Sequence, residues 1–565
     1  MSNVMNASQA AASAPLSRRG FVAATGAGIL AGVAASSAAH TAHAVEASAA
    51  KDSTSAASSA ADAADGTETN QWAFDQASLP ALSGAKEECD VVVVGAGFGG
   101  FTATITAAEE GLNVIQLKAL DQVGGSAVYT EGSFAINSQI TQDAGFYADA
   151  DKIRELIDEE MEDSHYRANH DQWIEIMNGQ GAVIDWMCDM GVTFEPVSDI
   201  LGRSDRFVVN LVYDGHGAAA IQAMQARAEE LGVTARCGHR AEHLYLQDGR
   251  VQGVLVSGPD GEYTIKSKAV ILACGGYADN PTLIRQKTGF DPTRIVFTGA
   301  AGTGSGDGIR MAYEVGADQT GVACPGFVWA IIDGVPPFNT ASVAACNEQH
   351  FWVNQYGKRF VNEDLVYNIA GICNVILGQK HVWSILDQDE VDRLAVEPCT
   401  LGWGAYVPVG SVMSTIQDDL DGLIEQNLPN VVKADTIEAL AGLIDVDAQN
   451  LQDSVDRYNE LCAEGTDTDF GKGPSVMHPV GSGPYYAFEL YADAPVTIGG
   501  IRIDPAGRVL DGNFDPIPGL FSGSCDNSGL EGDTYRSELG GVTSGTALYW
   551  DRRSAQEVAN YIQTA

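Results

Sequence analysis

The sequence predicts an α/β protein built on a Rossmann-like nucleotide-binding domain, and three observations carry that expectation. An apolar run of strand length, Cys89-Asp90-Val91-Val92-Val93-Val94, leads into Gly95-Ala96-Gly97-Phe98-Gly99-Gly100, a helical pattern through Glu110 and a second apolar run from Val114 to Leu117. A further buried strand, Val270 to Leu272, ends in Ala273-Cys274-Gly275-Gly276. A third, Gly519 to Gly523, precedes Leu539-Gly540-Gly541-Val542, which opens a last helix. The parts of one nucleotide domain are thus split along the chain.

The N-terminus reads as an address. Ser17-Arg18-Arg19-Gly20-Phe21-Val22 precedes an Ala/Gly-rich apolar run to about Ala38 and then Ala42-His43-Ala44, a small-residue cleavage pattern. Residues 1–44 are therefore expected to be a twin-arginine export signal, which sends the protein to the periplasm or the outer face of the cytoplasmic membrane. Residues 45–84, rich in Ala, Ser and Asp, are expected to be a disordered linker.

The full chain of 565 residues leaves room for two or three domains. A formal charge of -43 argues against nucleic acid or an anionic membrane surface as a partner and fits a solvated acidic exterior. The ten cysteines include no C-x-x-C-H pattern, so the chain carries no c-type haem motif of its own.

In the first βαβ unit each glycine has a task. Gly95 permits the tight turn, Gly97 lets the backbone approach a pyrophosphate, and Gly100 lets helix pack on strand while the helix N-terminus faces the phosphates. Between the second and third strands, Gly302-Thr303-Gly304-Ser305-Gly306-Asp307-Gly308 lacks the Gly-Lys-Ser/Thr ending of a phosphate loop and reads as an ordinary glycine-rich loop.

This order of motifs resembles the flavoproteins of the fumarate reductase and succinate dehydrogenase family over about residues 86 to 565. The likeness is to its soluble exported branch, with flavocytochrome-type fumarate reductases, urocanate reductases and 3-ketosteroid dehydrogenases. The resemblance implies FAD lying across a Rossmann-like domain (85–280 and 486–565, with a helical segment at about 141–210), under an inserted α+β capping domain at 281–485. It implies a cofactor set of Gly95, Gly97, Phe98, Gly99, Gly100, Lys118, Gly124, Gly125, Ser126, Ala273, Gly275, Asp307, Asp526, Gly540, Gly541 and Val542. Lys118 stands where the family has a glutamate for the adenosine ribose, with Asp121 as a substitute from the loop, and Asp526 is the acidic residue after the third strand. No histidine flanks Gly124-Gly125 to carry flavin covalently, so FAD is expected to bind non-covalently.

Gly357-Lys358-Arg359-Phe360-Val361-Asn362-Glu363 matches the family's Gly-x-Arg-Phe-x-Asn-Glu, after which fumarate reductases place a proton-donating arginine. Here that position is Tyr367. Their carboxylate-binding histidines align with Cys324 and with Val496-Thr497, their proton-relay pair falls near Val343 and Cys346, and their substrate-clamping arginine corresponds to the stretch Tyr535-Arg536-Ser537-Glu538. Burying a dicarboxylate without charged partners costs several kcal/mol, so a less charged, larger substrate is expected.

A tyrosine stays protonated at neutral pH and can donate a proton. Tyr367 and Tyr535 are accordingly the expected proton donor or carbonyl polariser, with Arg536 and Glu538 orienting substrate; Glu348 and His350 are weaker candidates. The expected activity is FAD-dependent reduction of an activated C=C bond in an enone, unsaturated lactone or acid, steroid-like compounds included. Electrons would come from a separate donor such as a membrane-linked cytochrome, in anaerobic respiration. The alternatives are a 3-ketosteroid dehydrogenase, a fumarate reductase-like enzyme with a rearranged dicarboxylate site, and a flavin-carrying electron-transfer protein.

Overall fold

The valine run forms β1 (Glu87–Val94), with Val91, Val92 and Val93 fully buried. β-Branched residues suit a strand covered on both faces. In this computed structural model, which describes residues 72–199, 207–299, 302, 304–403, 407–535 and 539–564, β1 is followed by α1 (Phe98–Glu109) and β2 (Val114–Lys118). Two helices come next, α2 (Ala150–Asp163) and α3 (His170–Asp189), with Asp149 and Asn169 capping their first N–H groups. The chain then returns through β3 (Arg236–Cys237), β4 (Arg240–Gln247), β5 (Arg250–Gly258) and β6 (Gly261–Leu272).

The capping part begins with β7 (Ile295–Val296), α4 (Asp307–Glu314), β8 (Ala323–Pro325), β9 (Trp329–Ile331) and α5 (Thr340–Asn347). It continues with β10 (Phe351–Asn354), α6 (Ile369–Leu377), β11 (Val382–Asp387), β12 (Val431–Ala434) and α7 (Ala448–Glu464). β13 (Tyr485–Glu489), β14 (Tyr491–Asp493) and β15 (Thr497–Gly499) lead back to β16 (Arg508–Leu510), β17 (Pro516–Ser522) and the last helix, α8 (Val542–Thr564).

The main sheet runs β16-β17-β6-β1-β2-β3, with β5 and β4 extending from β6 as an antiparallel ribbon. Val94 lies opposite both Leu117 and Leu272, and Ser522 opposite Leu272, so the parallel strands end along one edge. Nucleotides bind at that carboxyl edge in such sheets. Ala103 and Ala107 of α1 and Ala555 and Val558 of α8 pack with Val91, Val93, Ile271 and Phe521 on one face, tying the C-terminus to the first motif.

In the capping part, β10-β11-β13-β12 form an antiparallel sheet, and Leu451, Val455 and Tyr458 of α7 pack on Phe351, Val353, Trp383 and Ile385. A smaller sheet, β9-β14-β7, stands beside it. The expected boundary at 485 falls at the first residue of β13, and β14 still pairs with β9, so this part runs on to Asp493. A hydrogen-bonded strand cannot be divided between domains without opening its ladder.

A second correction concerns residues 72–84. Placed in the disordered linker by composition, they dock: Phe74 stacks on His243 at 3.9 Å, Trp72 meets Tyr313 edge-on at 5.8 Å, and Leu82 is buried beside Tyr245 and Leu255. The twin-arginine segment and the linker up to 71 lie outside the described residues. Among the described residues no helix is long and apolar enough to cross a membrane.

Candidate active site

The nucleotide cradle forms where β1, β2, β6 and β17 end. Gly95 has φ +134°, and a Cβ there would stand 2.0 Å from the Ala273 carbonyl oxygen; one on Gly100 would stand 2.1 Å from that of Gly95. Neither position tolerates a side chain. Gly97 at the N-cap of α1 has no capping side chain, so the first-turn N–H groups are left to an external anion, as a pyrophosphate requires. On the opposite rim, a Cβ on Gly541 would meet the Phe134 backbone at 2.5 Å, which brings the start of α8 against the strand residue Phe134. Gly124 and Gly125 both adopt positive φ, and the Ser126 hydroxyl donates to the Gly299 carbonyl at 2.6 Å, holding the capping part over this loop.

The acidic residues of the expected cofactor set make contacts within the protein. Asp526 is fully buried and accepts from the N–H groups of Cys274 (2.6 Å), Gly275 (3.0 Å) and Gly276 (3.1 Å). It clasps the double-glycine turn, and burial pushes its carboxyl up to about 6. Asp307 pairs with Arg240 at 2.7 Å. Lys118 sits half-buried at the end of β2, with burial lowering its pKa.

The charged residues of the signature pair with one another and with the chain beyond it. Arg359 donates to both carboxylate oxygens of Glu363 (2.9 and 2.7 Å) and to Asp467 (2.7 Å), while Lys472 reaches Tyr458 (2.8 Å) and the Gln349 carbonyl (2.7 Å). Burial would raise the Asp467 pKa, but Arg359 and the N–H groups of Lys472 and Phe470 outweigh it and hold the carboxylate ionised. Glu348 accepts from the N–H groups of Thr400, Leu401 and Gly402, and His350 pairs with Glu390 at 3.1 Å, so both weaker candidates anchor loops.

The two candidate tyrosines part company. Tyr535, 5% exposed, packs with Cys324 and Ile498 and against Val328 and Val496. Cys324 and Ile498 face each other across β8 and β15, and burial pushes the Tyr535 phenol well above its ordinary pKa. Cys324 and Val496, two of the positions that the resemblance matched to histidines, thus lie close together in the fold. Tyr367 ends the turn Glu363–Tyr367, is 39% exposed and is not part of this cluster. Arg536 and Glu538 lie outside the described residues. Asn374 on α6 donates to the Thr534 hydroxyl at 3.3 Å, bringing the capping part against the Tyr535 loop. Sequence reasoning passed over Asp493, a buried carboxyl in β14; its signal was an acid inside the otherwise apolar run Tyr491-Ala492-Asp493-Ala494.

A family model described as "FAD binding domain" matches residues 90–534. A vinyl phenol reductase of Lactiplantibacillus plantarum is 35% identical, covering 84% of this chain and 96% of that protein.

The chain belongs to this FAD-binding family.

The flavoprotein is also 28% identical to a urocanate reductase of Eggerthella lenta, over 81% of this chain and 73% of that one. Its fold is that of a flavocytochrome c3 fumarate reductase in an open conformation (TM-score 0.65, 24% identity, 85% of this chain and 79% of that one). It is equally that of a 3-ketosteroid Δ4-(5α)-dehydrogenase from Rhodococcus jostii (0.62, 22%, 84% and 97%). The cofactor is FAD, and the flavoprotein is an oxidoreductase acting on CH–CH bonds. The uncapped α1 N-terminus and the glycine cradle fit its pyrophosphate.

Proposed function

We propose that the flavoprotein reduces the conjugated C=C bond of a substrate without two carboxylates, a vinyl-substituted phenol or an enone. The observation that carries this reading is the packing of Tyr535 with Cys324 and Ile498 and against Val328 and Val496, an apolar wall at positions where the resemblance leads one to expect histidines. The 35% identity to a vinyl phenol reductase supports the aryl alternative.

Bound FAD, once reduced, supplies the hydride. Tyr535 supplies the proton: its phenol stays protonated at neutral pH because the buried anion is disfavoured. Exclusion of water by the apolar walls keeps that proton for the substrate carbon. Export through the Ser17-Arg18-Arg19 segment, and electrons from a separate carrier in anaerobic respiration, belong to the same reading.

The test is an anaerobic reoxidation screen of the photoreduced flavin with 4-vinylphenol, a cyclic enone, urocanate and fumarate. Fast reoxidation by vinylphenol or enone is expected, and fumarate reoxidising the flavin equally fast would overturn the assignment.

A further inference from the structure

Asp493 ends β14, the middle strand of the small sheet. Its backbone carbonyl accepts from Val328, which packs against the Tyr535 cluster, at 3.0 Å. Its side chain takes a 2.7 Å hydrogen bond from Thr298, which precedes the Gly299 that binds Ser126 of the cofactor loop. Across the ladder Asp493 is paired directly with Trp329, so the two side chains stand on the same face of the sheet. The Trp329 indole N–H is buried and has no hydrogen-bond partner among the described residues, and the ring lies tilted against Trp403, with centroids 4.2 Å apart and 52° between the planes. An orphaned buried donor is destabilising, a cost that a bound acceptor removes.

Resting on the proposed reductase function, we infer that Asp493 and Trp329 form the polar end of the substrate pocket and recognise a phenolic hydroxyl conjugated to the reducible double bond. The phenol oxygen accepts from the Trp329 N–H and donates to the Asp493 carboxylate, and the aromatic ring lies among Trp329, Trp403 and the Tyr535 cluster. Burial pushes the Asp493 carboxyl up to about 7, against the opposing pull of Thr298, which makes it a competent base toward a phenol.

The chemistry balances. The phenol passes its proton to Asp493, and the oxygen electrons shift through the ring so that the vinyl π pair takes a proton from Tyr535 at the terminal carbon. The resulting quinone methide accepts the hydride at the benzylic carbon, the ring regains its aromaticity, and Asp493 returns the proton to the phenolate oxygen. One proton is consumed with one hydride, which bound reduced FAD would supply, and Tyr535 is reprotonated from solvent.

Binding to the oxidised, FAD-loaded protein tests this apart from turnover. 4-Ethylphenol and ethylbenzene are titrated by flavin difference spectroscopy against wild type, Asp493→Asn and Trp329→Phe. Wild type is expected to prefer the phenol by about 10- to 100-fold, and each variant to lose most of that preference, with a larger loss of affinity for the phenol than for ethylbenzene. The preference surviving in both variants, or missing in wild type, overturns the inference. The two failures are separable: if the binding preference is present but vinylphenol does not reoxidise the flavin, the reductase reading fails; if vinylphenol and styrene reoxidise it equally in wild type, the inference fails. Should Asp493→Asn lose FAD, Trp329→Phe alone carries the comparison.

Discussion

Replacing Arg359 with Met tests whether the signature Gly357–Glu363 is a structural clasp or part of the chemistry. The guanidinium makes two hydrogen bonds to Glu363 and one to Asp467, all between side chains at most 6% exposed. Methionine keeps the apolar stem but leaves two buried carboxylates facing each other, with Lys472 3.7 Å from Glu363 as the remaining cation. Breaking a buried pair in this way costs about 3–5 kcal/mol. With an m-value of roughly 2 kcal/mol/M, the urea midpoint of the capping part should fall by about 1.5–2.5 M. Intrinsic tryptophan fluorescence reads that transition, and release of flavin fluorescence reads the nucleotide domain separately. The pH dependence carries a sign. The folded Asp467 pKa is depressed, so its contribution is present above an unfolded value of about 3.9 and fades as pH falls below it. The gap between wild type and variant should therefore hold from neutral pH down to about pH 4 and narrow below. A midpoint shift under about 0.3 M at pH 7, outside extrapolation error, together with a loss of alkene turnover in a stable protein, would refute the clasp and return Arg359 to the chemistry.

Four further outcomes are expected. Gly95→Ala should purify without FAD, as read by the flavin absorbance ratio, because its Cβ would collide with the Ala273 carbonyl. Tyr535→Phe should slow alkene-driven reoxidation by about 100-fold or more with flavin photoreduction unchanged, whereas Tyr367→Phe, at an exposed position, should change it by less than about threefold. Asp551→Asn concerns a fully buried carboxyl wedged against Gly99 and Gly523, whose pKa burial raises strongly. A raised folded pKa makes wild type lose stability as pH climbs above the unfolded value, so the variant's advantage in melting temperature should grow from pH 5 to pH 8. Asp526→Asn should loosen the Cys274-Gly275-Gly276 turn and weaken FAD binding in an equilibrium titration of the apoprotein.

The nucleotide domain was legible in the chain because its demands are local. A strand buried on both faces must be apolar throughout, and a backbone that approaches phosphates must be glycine where a Cβ would strike a carbonyl, as at Gly95 and Gly100. The departures from the fumarate-reducing pattern at Cys324 and Val496 were equally visible, since a missing histidine is a property of the sequence alone. Burial and partnership were not. The linker composition of residues 72–84 concealed three apolar anchors, because a short segment docks through a few side chains while its average stays polar. Asp526 and Arg359 each carried a motif's expected role, and only the tertiary structure assigned their charges to a backbone turn and a carboxylate pair.

The sequence by itself determined that this is a split dinucleotide-binding flavoprotein, because turns, strands and glycine contacts are decided within a few residues of each other. Only the folded chain separated Tyr535 from Tyr367, since a phenol's fitness as proton donor depends on desolvation by residues far away in sequence: Tyr535 is walled by Cys324 and Ile498, while Tyr367 faces solvent. Only the folded chain, too, set Asp493 beside Trp329, because the two are joined by strand pairing across the insertion and by no pattern a linear reading can hold.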